Sequence, residues 1–194
     1  MLKKFSFFNL FITKLLLLLL LLLSSSGLFA QKSQIDSLIQ QKISSDGIVA
    51  SKLETFKNQG IEKEMTLDHL TPDSLISYAK TYIGTPHCMG GTSYKCIDCS
   101  GLLYVVFKHF GVDIPHNSDD LAHYGKIIIN PDSLQAGDLV FFIKTYNTSK
   151  FITHSGIYLG NGEFIHTSAS RGVVISNLNY KYYQEHYIFG TRVF

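Results

Sequence analysis

Apolar residues recur at helical spacing in the first part of the chain. The stretch TPDSLISYAKTYIG is predicted to be a helix, because Thr71 can cap its start, Pro72 suits its first turn and Gly84 can end it. One side of this helix is expected to face a core. That side is formed by Ile76, Ala79, Tyr82 and Ile83.

A later stretch, DCSGLLYVVFKHFG, is apolar on nearly every side. Leucine, valine and phenylalanine fill most of its positions, and Gly111 can end it. A loop rich in turn residues, TPHCMGGTSYKCI, precedes it. A helix that is apolar all round is predicted to be buried, so this one should lie inside the domain.

After Pro131 the pattern changes to short strands rich in valine, isoleucine, phenylalanine and tyrosine. Glycine and asparagine separate five such stretches: GDLVFFI, THSGIYLG, EFIHTSA, GVVISNL and YIFGTRVF. Helices followed by a run of strands indicate an α+β fold. N-terminal helices are expected to pack against a C-terminal antiparallel β-sheet.

The beginning of the chain has the three parts of a secretory signal. Lys3 and Lys4 precede a leucine run, and small residues follow as far as Ala30, after which we place the cleavage site. An uncleaved membrane anchor is the alternative, but Asn9 and Lys14 interrupt the apolar stretch, and a span needs about 20 apolar residues. No cysteine lies near the cleavage site, so a lipid anchor is not expected there.

The charge of the chain argues against nucleic-acid binding. The sequence has 17 lysine and arginine residues and 15 aspartate and glutamate residues, a net charge of +2. Removal of the signal would remove three lysines and no acid, which leaves a slightly acidic chain without a clustered basic surface. Export would also permit disulfides.

A cysteine at the predicted start of a helix is the main chemical feature. The helix dipole favours negative charge there, so Cys99 is predicted to be stabilised as a thiolate, although the charge of Asp98 would oppose this. Cys96 and Cys99 have the spacing of a redox pair, but no βαβ pattern surrounds them. A zinc site has suitable ligand types but lacks the paired spacings of zinc modules. Its ligands would be His87, Cys88, Cys96 and Cys99.

A thiolate nucleophile needs a base and a group that orients the base. His154 and His166 lie on consecutive predicted strands joined by GNG. A two-residue turn would put them on opposite sides of the sheet. A three-residue loop would place His166 opposite Gly156 on the same side as His154, with the histidine Cα atoms roughly 7–8 Å apart. The triad hypothesis predicts this loop, and a two-residue turn without a bulge would contradict it.

Four ordered blocks resemble one known family. D-C-S-G, G-D-L-V-F-F, H-x-G-I-Y-L-G-N-G and F-I-H occur here as in the NlpC-type cell-wall cysteine peptidases, which are papain-like. The resemblance runs from about residue 74 to residue 194. We therefore divide the chain into a signal peptide (1–30), a helical N-terminal extension (31–70) and an NlpC-type catalytic domain (71–194).

The resemblance implies roles for particular residues. Cys99 would be the nucleophile, His154 the general base and His166 the polar group that orients it. Substrate-binding positions are expected at Asp98, Ser100, His87 and Ser118. No metal or cofactor is expected.

The resemblance also implies a reaction and a place for it. Similar enzymes hydrolyse peptidoglycan stem peptides, typically between γ-D-glutamate and a diamino acid, through a thioester. This chain would act as an exported monomer in the periplasm or cell envelope, with membrane contact only through the signal segment. Two positions depart from the family: His87 stands where tyrosine is usual, and His116 where arginine is frequent. These departures leave the exact substrate open.

Other interpretations keep part of this picture. The same fold can act as an amidase or an acyltransferase, and a redox protein would use Cys96 and Cys99. A non-catalytic wall-binding module would have no need of the complete Cys, His, His set. Cys88 and Cys96 are expected either as free thiols beside the cleft or as a disulfide that leaves Cys99 unpaired.

Overall fold

A computed structural model describes residues 46–194 together with Ser37, Ile39 and Ile43. The chain divides into two compact units, residues 1–42 and 43–194. The predicted signal peptide lies outside the described residues. In residues 31–45 of the predicted helical extension, only Ser37, Ile39 and Ile43 are described, and they are helical. Within the described part of the chain, no helix combines the length and the apolar character that a membrane span requires.

Residues 46–194 contain five α-helices, one short 3-10 helix and eight strands. The α-helices are α1 (Gly47–Asn58), α2 (Pro72–Lys80), α3 (Cys99–His109), α4 (Ser118–Leu121) and α5 (Lys181–His186). The strands are β1 (Thr92–Ser93), β2 (Cys96–Ile97), β3 (Lys126–Ile128), β4 (Leu139–Phe142), β5 (His154–Gly160), β6 (Glu163–Ser168), β7 (Gly172–Asn177) and β8 (Tyr187–Arg192). The 3-10 helix is Pro131–Ser133.

Six strands form one antiparallel sheet in the order β3-β8-β4-β5-β6-β7, and β1 pairs with β2 in a separate hairpin. Helix α3 packs against β5 and β6. The α+β fold predicted from the sequence is confirmed, as are all five strands predicted after Pro131. The central strand β4 is buried on both faces, so the core lies between the sheet and its covering elements.

Helix α2 begins where the sequence predicts. Thr71 caps it, and Ser74 completes a capping box in which each side chain accepts from the backbone N–H of the other. The helix ends at Lys80, earlier than the predicted end at Gly84, so Tyr82 and Ile83 lie in the turn that follows it. Of the predicted apolar face, only Ile83 is exposed, at 50%. Leu75 instead is fully buried, because the helix turns that side of its surface to the core.

Helix α3 starts at Cys99 and is capped by Asp98, whose Oδ1 accepts from the N–H of Gly101 at 2.6 Å. Gly101 allows a close approach of another backbone segment. A Cβ atom at this position would lie 2.0 Å from the carbonyl oxygen of Gly91, in the loop before the helix. The expected buried helix and its end at Gly111 are confirmed.

Six short elements were not predicted: β1 and β2 of the hairpin, α4, β3, the 3-10 helix and α5. Elements of two to six residues are too short for hydrophobic periodicity to distinguish them from loops. Helix α5 also lacks a side-chain cap. It forms because Tyr183 packs in the core with residues from β4 and β6, including Phe142 and Phe164.

Candidate active site

The β5–β6 hairpin decides which side of the sheet its histidines occupy. Its turn consists of two residues, Asn161 and Gly162, both with positive φ, so the predicted three-residue loop is wrong in detail. A bulge at Leu159 adds one residue to β5 and restores the register that the triad hypothesis requires. Within this register Ile157 pairs with Ile165. The next pair inward then sets His166 opposite the glycine at 156.

His154 and His166 form a hydrogen-bonded pair. The Nε2 atom of His154 lies 2.9 Å from Nδ1 of His166, and the two rings are almost perpendicular, at 88°. The other nitrogen of His166, Nε2, lies 3.0 Å from Oγ of Ser176 and 3.1 Å from the hydroxyl of Tyr183. His154 uses Nε2 in this hydrogen bond. Its other nitrogen, Nδ1, is therefore the one that can accept a proton from a nucleophile.

Cys99 is a free thiol at the first position of α3. Its sulfur lies 3.6 Å from Oγ of Ser118, which lies 2.8 Å from Oγ of Ser155. Burial raises the pKa of the Cys99 thiol, and the charge of Asp98 raises it further, while hydrogen bonds from Ser118 and from the N–H groups of Ser155 and Ser100 lower it. The predicted thiolate stabilisation is therefore outweighed in the unliganded site, because desolvation penalises the charged form.

Both histidines have lowered pKa values. Burial lowers the pKa of His154 to about 4; the charge of His87 adds to this and that of Asp98 opposes it. Burial also lowers the pKa of His166 to about 2, with contributions from His154 and Arg171. Both imidazoles are thus neutral at pH 7, and His154 is the more basic of the two.

Asp98 joins the helix start to the surrounding loops. Besides the cap, its Oδ2 accepts from the N–H of Gly90 at 2.6 Å, and its Oδ1 lies 3.1 Å from Nε2 of His116. The hydroxyl of Ser100 donates to the same Oδ1 at 3.2 Å. The hydroxyl of Thr167 on β6 donates to the Asp98 carbonyl, which ties the helix start to the sheet. The side chain of Asp98 is 12% exposed, and most of the hydrogen-bonding capacity of its carboxylate is used within the chain.

Cys88 and Cys96 form a disulfide that closes the loop before α3. The sequence left open whether Cys88 and Cys96 are free thiols or a disulfide. They form a disulfide, and Cys99 is unpaired. Cys96 is then unavailable as a redox partner for Cys99. The bonded pair also cannot supply thiolates to zinc, and the described residues contain no group of three or more side chains placed to hold a metal.

A cavity of about 790 Å³ opens at the start of α3. It brings together all seven residues that the sequence assigns to the site: Cys99, His154, His166, Asp98, Ser100, His87 and Ser118. His116 lines it too, opposite Asp98. Tyr146, Tyr180 and Tyr182 are exposed aromatic residues on its rim.

Four residues near the site were missed by the sequence analysis: Ser155, Arg171, Ser176 and Tyr183. Ser155 directly follows His154, so its position beside the cysteine was available from the motif. Ser176 and Tyr183 come from β7 and α5, and only the packing of those elements against β6 brings them to His166.

Known proteins resemble this chain over the same region. Residues 84–192 match the NlpC/P60 family. A murein DD-endopeptidase MepS/murein LD-carboxypeptidase from Escherichia coli is 37% identical over 111 residues, which cover 57% of this chain and 56% of that protein. A γ-D-glutamyl-L-lysine dipeptidyl-peptidase from Bacillus cereus is 35% identical over 134 residues, covering 68% of this chain and 40% of that one.

The fold has a counterpart among solved structures. A crystal structure of an NlpC/P60 family protein from Bacillus cereus superposes with a TM-score of 0.57 and 34% sequence identity, over 64% of this chain and 40% of that chain. The chain spans less than two thirds of the length of the curated relatives it matches. The matched residues 84–192 contain the six-stranded sheet and the helices that carry the site.

Proposed function

The chain belongs to the NlpC/P60 family, and from this premise we propose that it is an exported cysteine endopeptidase that hydrolyses peptidoglycan stem peptides. One observation carries the proposal. Cys99, at the start of a buried helix, shares a cavity with His154, whose Nε2 is held 2.9 Å from Nδ1 of His166. A nucleophile, a base and a group that orients the base are the minimum set for acyl transfer.

The proposed reaction begins with a neutral thiol and a neutral imidazole. As the sulfur of Cys99 attacks the scissile carbonyl carbon, the thiol proton passes to Nδ1 of His154. The tetrahedral intermediate then expels the amine, which takes that proton from His154 and leaves a thioester on Cys99. Water attacks the thioester while His154 accepts its proton, and the carboxylic acid leaves as the thiol is restored.

The negative oxygen of the tetrahedral intermediate needs hydrogen-bond donors. The first N–H groups of a helix have no partner within the helix. In α3, Asp98 occupies the N–H of Gly101 with its side chain and that of Leu102 with its carbonyl. We propose that the preceding N–H groups, those of Cys99 and Ser100, donate to the negative oxygen; loss of one such donor costs about 2.7–4 kcal/mol in other enzymes.

Two bonds are candidates for the cut. The Bacillus cereus relative is named for a γ-D-glutamyl-L-lysine bond, which favours the bond between γ-D-glutamate and a diamino acid. The Escherichia coli relative is named as a murein DD-endopeptidase, which makes a D,D bond the second candidate. Asp98, Ser100, His87 and Ser118 line the cavity and are the proposed substrate contacts.

Two features support export to the periplasm or cell envelope. The first is the three-part pattern of residues 1–30. The second is the Cys88–Cys96 disulfide, because such bonds persist in oxidising compartments. An exported chain would act without its signal, and we propose that it acts as a monomer.

Digestion of purified muropeptides tests the proposal. The protein should convert a disaccharide tetrapeptide into two fragments whose summed mass exceeds the substrate by one water, with the new ends at γ-D-glutamate and the diamino acid. Cleavage of the D,D cross-link in a disaccharide-tetrapeptide dimer, with new ends at D-alanine and the diamino acid, would favour the second candidate. Products formed only when an amine acceptor is supplied would indicate an acyltransferase. No cleavage of any muropeptide or of intact peptidoglycan would refute the assignment.

A further inference from the structure

Three polar side chains meet behind His166, at the nitrogen that does not face His154. Ser176 on β7 and Tyr183 on α5 place their hydroxyl oxygens 3.0 and 3.1 Å from Nε2 of His166. The Tyr183 hydroxyl donates to Oγ of Ser176 at 3.3 Å, and Nη2 of Arg171 donates to the same oxygen at 3.2 Å. Ser176 and Tyr183 are buried, at 5% and 9% exposure. The reaction described above gives these groups no part.

The reaction requires one particular tautomer of His166. A neutral imidazole carries a single N–H, so His154 can accept a proton on Nδ1 only if its hydrogen is on Nε2. That hydrogen points at Nδ1 of His166, which must then be an acceptor, with the His166 hydrogen on Nε2. In the opposite tautomer His166 donates to Nε2 of His154. The hydrogen of His154 then sits on Nδ1, and the base is blocked.

Counting donors at Ser176 shows which group accepts from His166. An arginine can only donate, and the Tyr183 hydroxyl also donates to Ser176, so both lone pairs of Oγ are occupied. We take the remaining hydrogen, that of the Ser176 hydroxyl, to point away from His166, so the oxygen of Tyr183 is the acceptor for Nε2–H of His166. The hydrogen bonds then all point the same way: His154 donates to His166, His166 to Tyr183, and Tyr183 to Ser176. Arg171 also donates to Ser176, at the end of this series.

We propose that Tyr183 and Ser176, held by Arg171, are positioning residues that keep His166 in the tautomer with its hydrogen on Nε2. This inference rests on the proposed roles of His154 and His166. The positive charge of Arg171 also opposes protonation of His166. The proton taken from Cys99 therefore stays on His154.

Nitrogen NMR tests the tautomer directly and needs no substrate. In the full chain labelled with ¹⁵N-histidine at pH 7, His166 should show a protonated Nε2 and an unprotonated Nδ1. The double variant Tyr183→Phe/Ser176→Ala removes both hydroxyl oxygens that lie near Nε2 of His166 and should move the hydrogen to Nδ1. A wild-type spectrum with the hydrogen of His166 on Nδ1 would overturn the proposal, whether or not any variant folds.

Alkylation of Cys99 by iodoacetamide measures whether His154 can accept the thiol proton. At pH 7 the double variant should react at least about tenfold more slowly than wild type, while Tyr183→Phe alone should lose less. Tyr187→Phe is the matched control, since it removes a buried tyrosine hydroxyl that donates to the carbonyl of Ile128. It should keep the wild-type rate although it too loses stability. Arg171→Lys, which keeps a positive donor, should react faster than Arg171→Gln.

Activity adds a second readout on stem-peptide substrates. In the double variant kcat should fall by about tenfold or more with KM unchanged, because the base and not the binding site is impaired. Equal alkylation rates in wild type and a folded double variant would also overturn the proposal. If wild type fails to cut muropeptides while the NMR and alkylation results hold, the proposed function fails and the positioning role stands.

Discussion

The Nε2 atom of His154 lies 2.9 Å from Nδ1 of His166 across neighbouring strands, and a single bulged residue makes this contact possible. Without the extra residue at Leu159, a two-residue turn would set the two side chains on opposite faces of the sheet. The bulge leaves one residue of β5 unpaired with β6. In return the hairpin gains a hydrogen bond between the two histidines inside the cavity.

Replacing His166 tests what that hydrogen bond contributes. His166→Asn should retain more activity than His166→Ala, because an amide oxygen can still accept from Nε2 of His154. We expect His166→Ala to lower kcat by about two orders of magnitude or more, in the range typical of losing general acid–base support. Steady-state kinetics on muropeptides, with thermal unfolding as a check of folding, would measure both. Equal losses in the two variants would mean that the hydrogen bond does not orient the base.

The three cysteines should respond differently to substitution. Cys99→Ala should abolish release of stem-peptide fragments, whereas Cys96→Ala should leave most of it. The paired change Cys88→Ala/Cys96→Ala should lower the free energy of unfolding by about 2–4 kcal/mol, the usual contribution of a disulfide. Fragment release followed by mass spectrometry, and denaturant unfolding, check the two effects. Equal loss of activity from the Cys96 and Cys99 variants would rule out a single nucleophile.

Asp98→Asn should separate the charge of this residue from its capping role. Asparagine is as good a helix cap as aspartate, but its single acceptor oxygen cannot serve both Gly101 and Gly90. Asp98→Asn should therefore lose some stability but less than Asp98→Ala, which should lose about 1 kcal/mol or more. The negative charge of Asp98 raises the pKa of Cys99. Its removal should therefore shift the pH dependence of iodoacetamide alkylation to lower pH. A shift to higher pH would show that another contact of Asp98 dominates the thiol.

Acid should destabilise the fold below about pH 6.5. Burial lowers the pKa of His154 to about 4 and that of His166 to about 2, and it also lowers the pKa of His123. The unfolded chain therefore binds more protons than the folded chain, so the free energy of unfolding falls as the pH drops. The fall is at most about 1.4 kcal/mol per pH unit for each histidine.

Urea unfolding between pH 7.5 and pH 4 measures this slope. His123 lies outside the cavity and is 2% exposed, and burial lowers its pKa while a hydrogen bond with the backbone of Gly60 raises it. His123→Leu should therefore flatten the slope without affecting catalysis at pH 7. The charged groups that act on its pKa are Lys63, Asp119 and Asp120. If this variant kept the wild-type slope, His123 would not contribute to the loss of stability at low pH.

Gly101→Ala should damage the site through packing alone. The added Cβ would lie 2.0 Å from the carbonyl oxygen of Gly91, and backbone cannot yield as a flexible side chain can. We expect a loss of stability of about 1–3 kcal/mol, typical of overpacking, together with a fall in activity because Cys99 lies two residues away. Gly111→Ala is a useful comparison. It has open space around the new Cβ but a positive φ of 77°, so it should lose stability through backbone strain and keep the Cys99 reactivity of wild type.

The sequence by itself determined the fold class, the helix that carries the cysteine and the strands that carry the histidines. It could do so because these signals are local. Asp98 caps α3 through its own neighbours, and the strands of the sheet are continuous runs of β-forming residues. The chemical types of the site were also visible, because one cysteine lies at a helix start and two histidines lie on one hairpin, although only the structure shows that Cys88 and Cys96 are paired and that Cys99 is free.

Tertiary structure decided how those residues work together. The register of β5 and β6 depends on a bulge that no local pattern marks, because one extra residue in a strand does not change its composition. The pKa of Cys99 depends on burial, which outweighs the helix start that the sequence emphasised. The hydroxyls of Ser176 and Tyr183 reach His166 only because β7 and α5 pack against β6, and contacts between segments distant in sequence are set by the core as a whole.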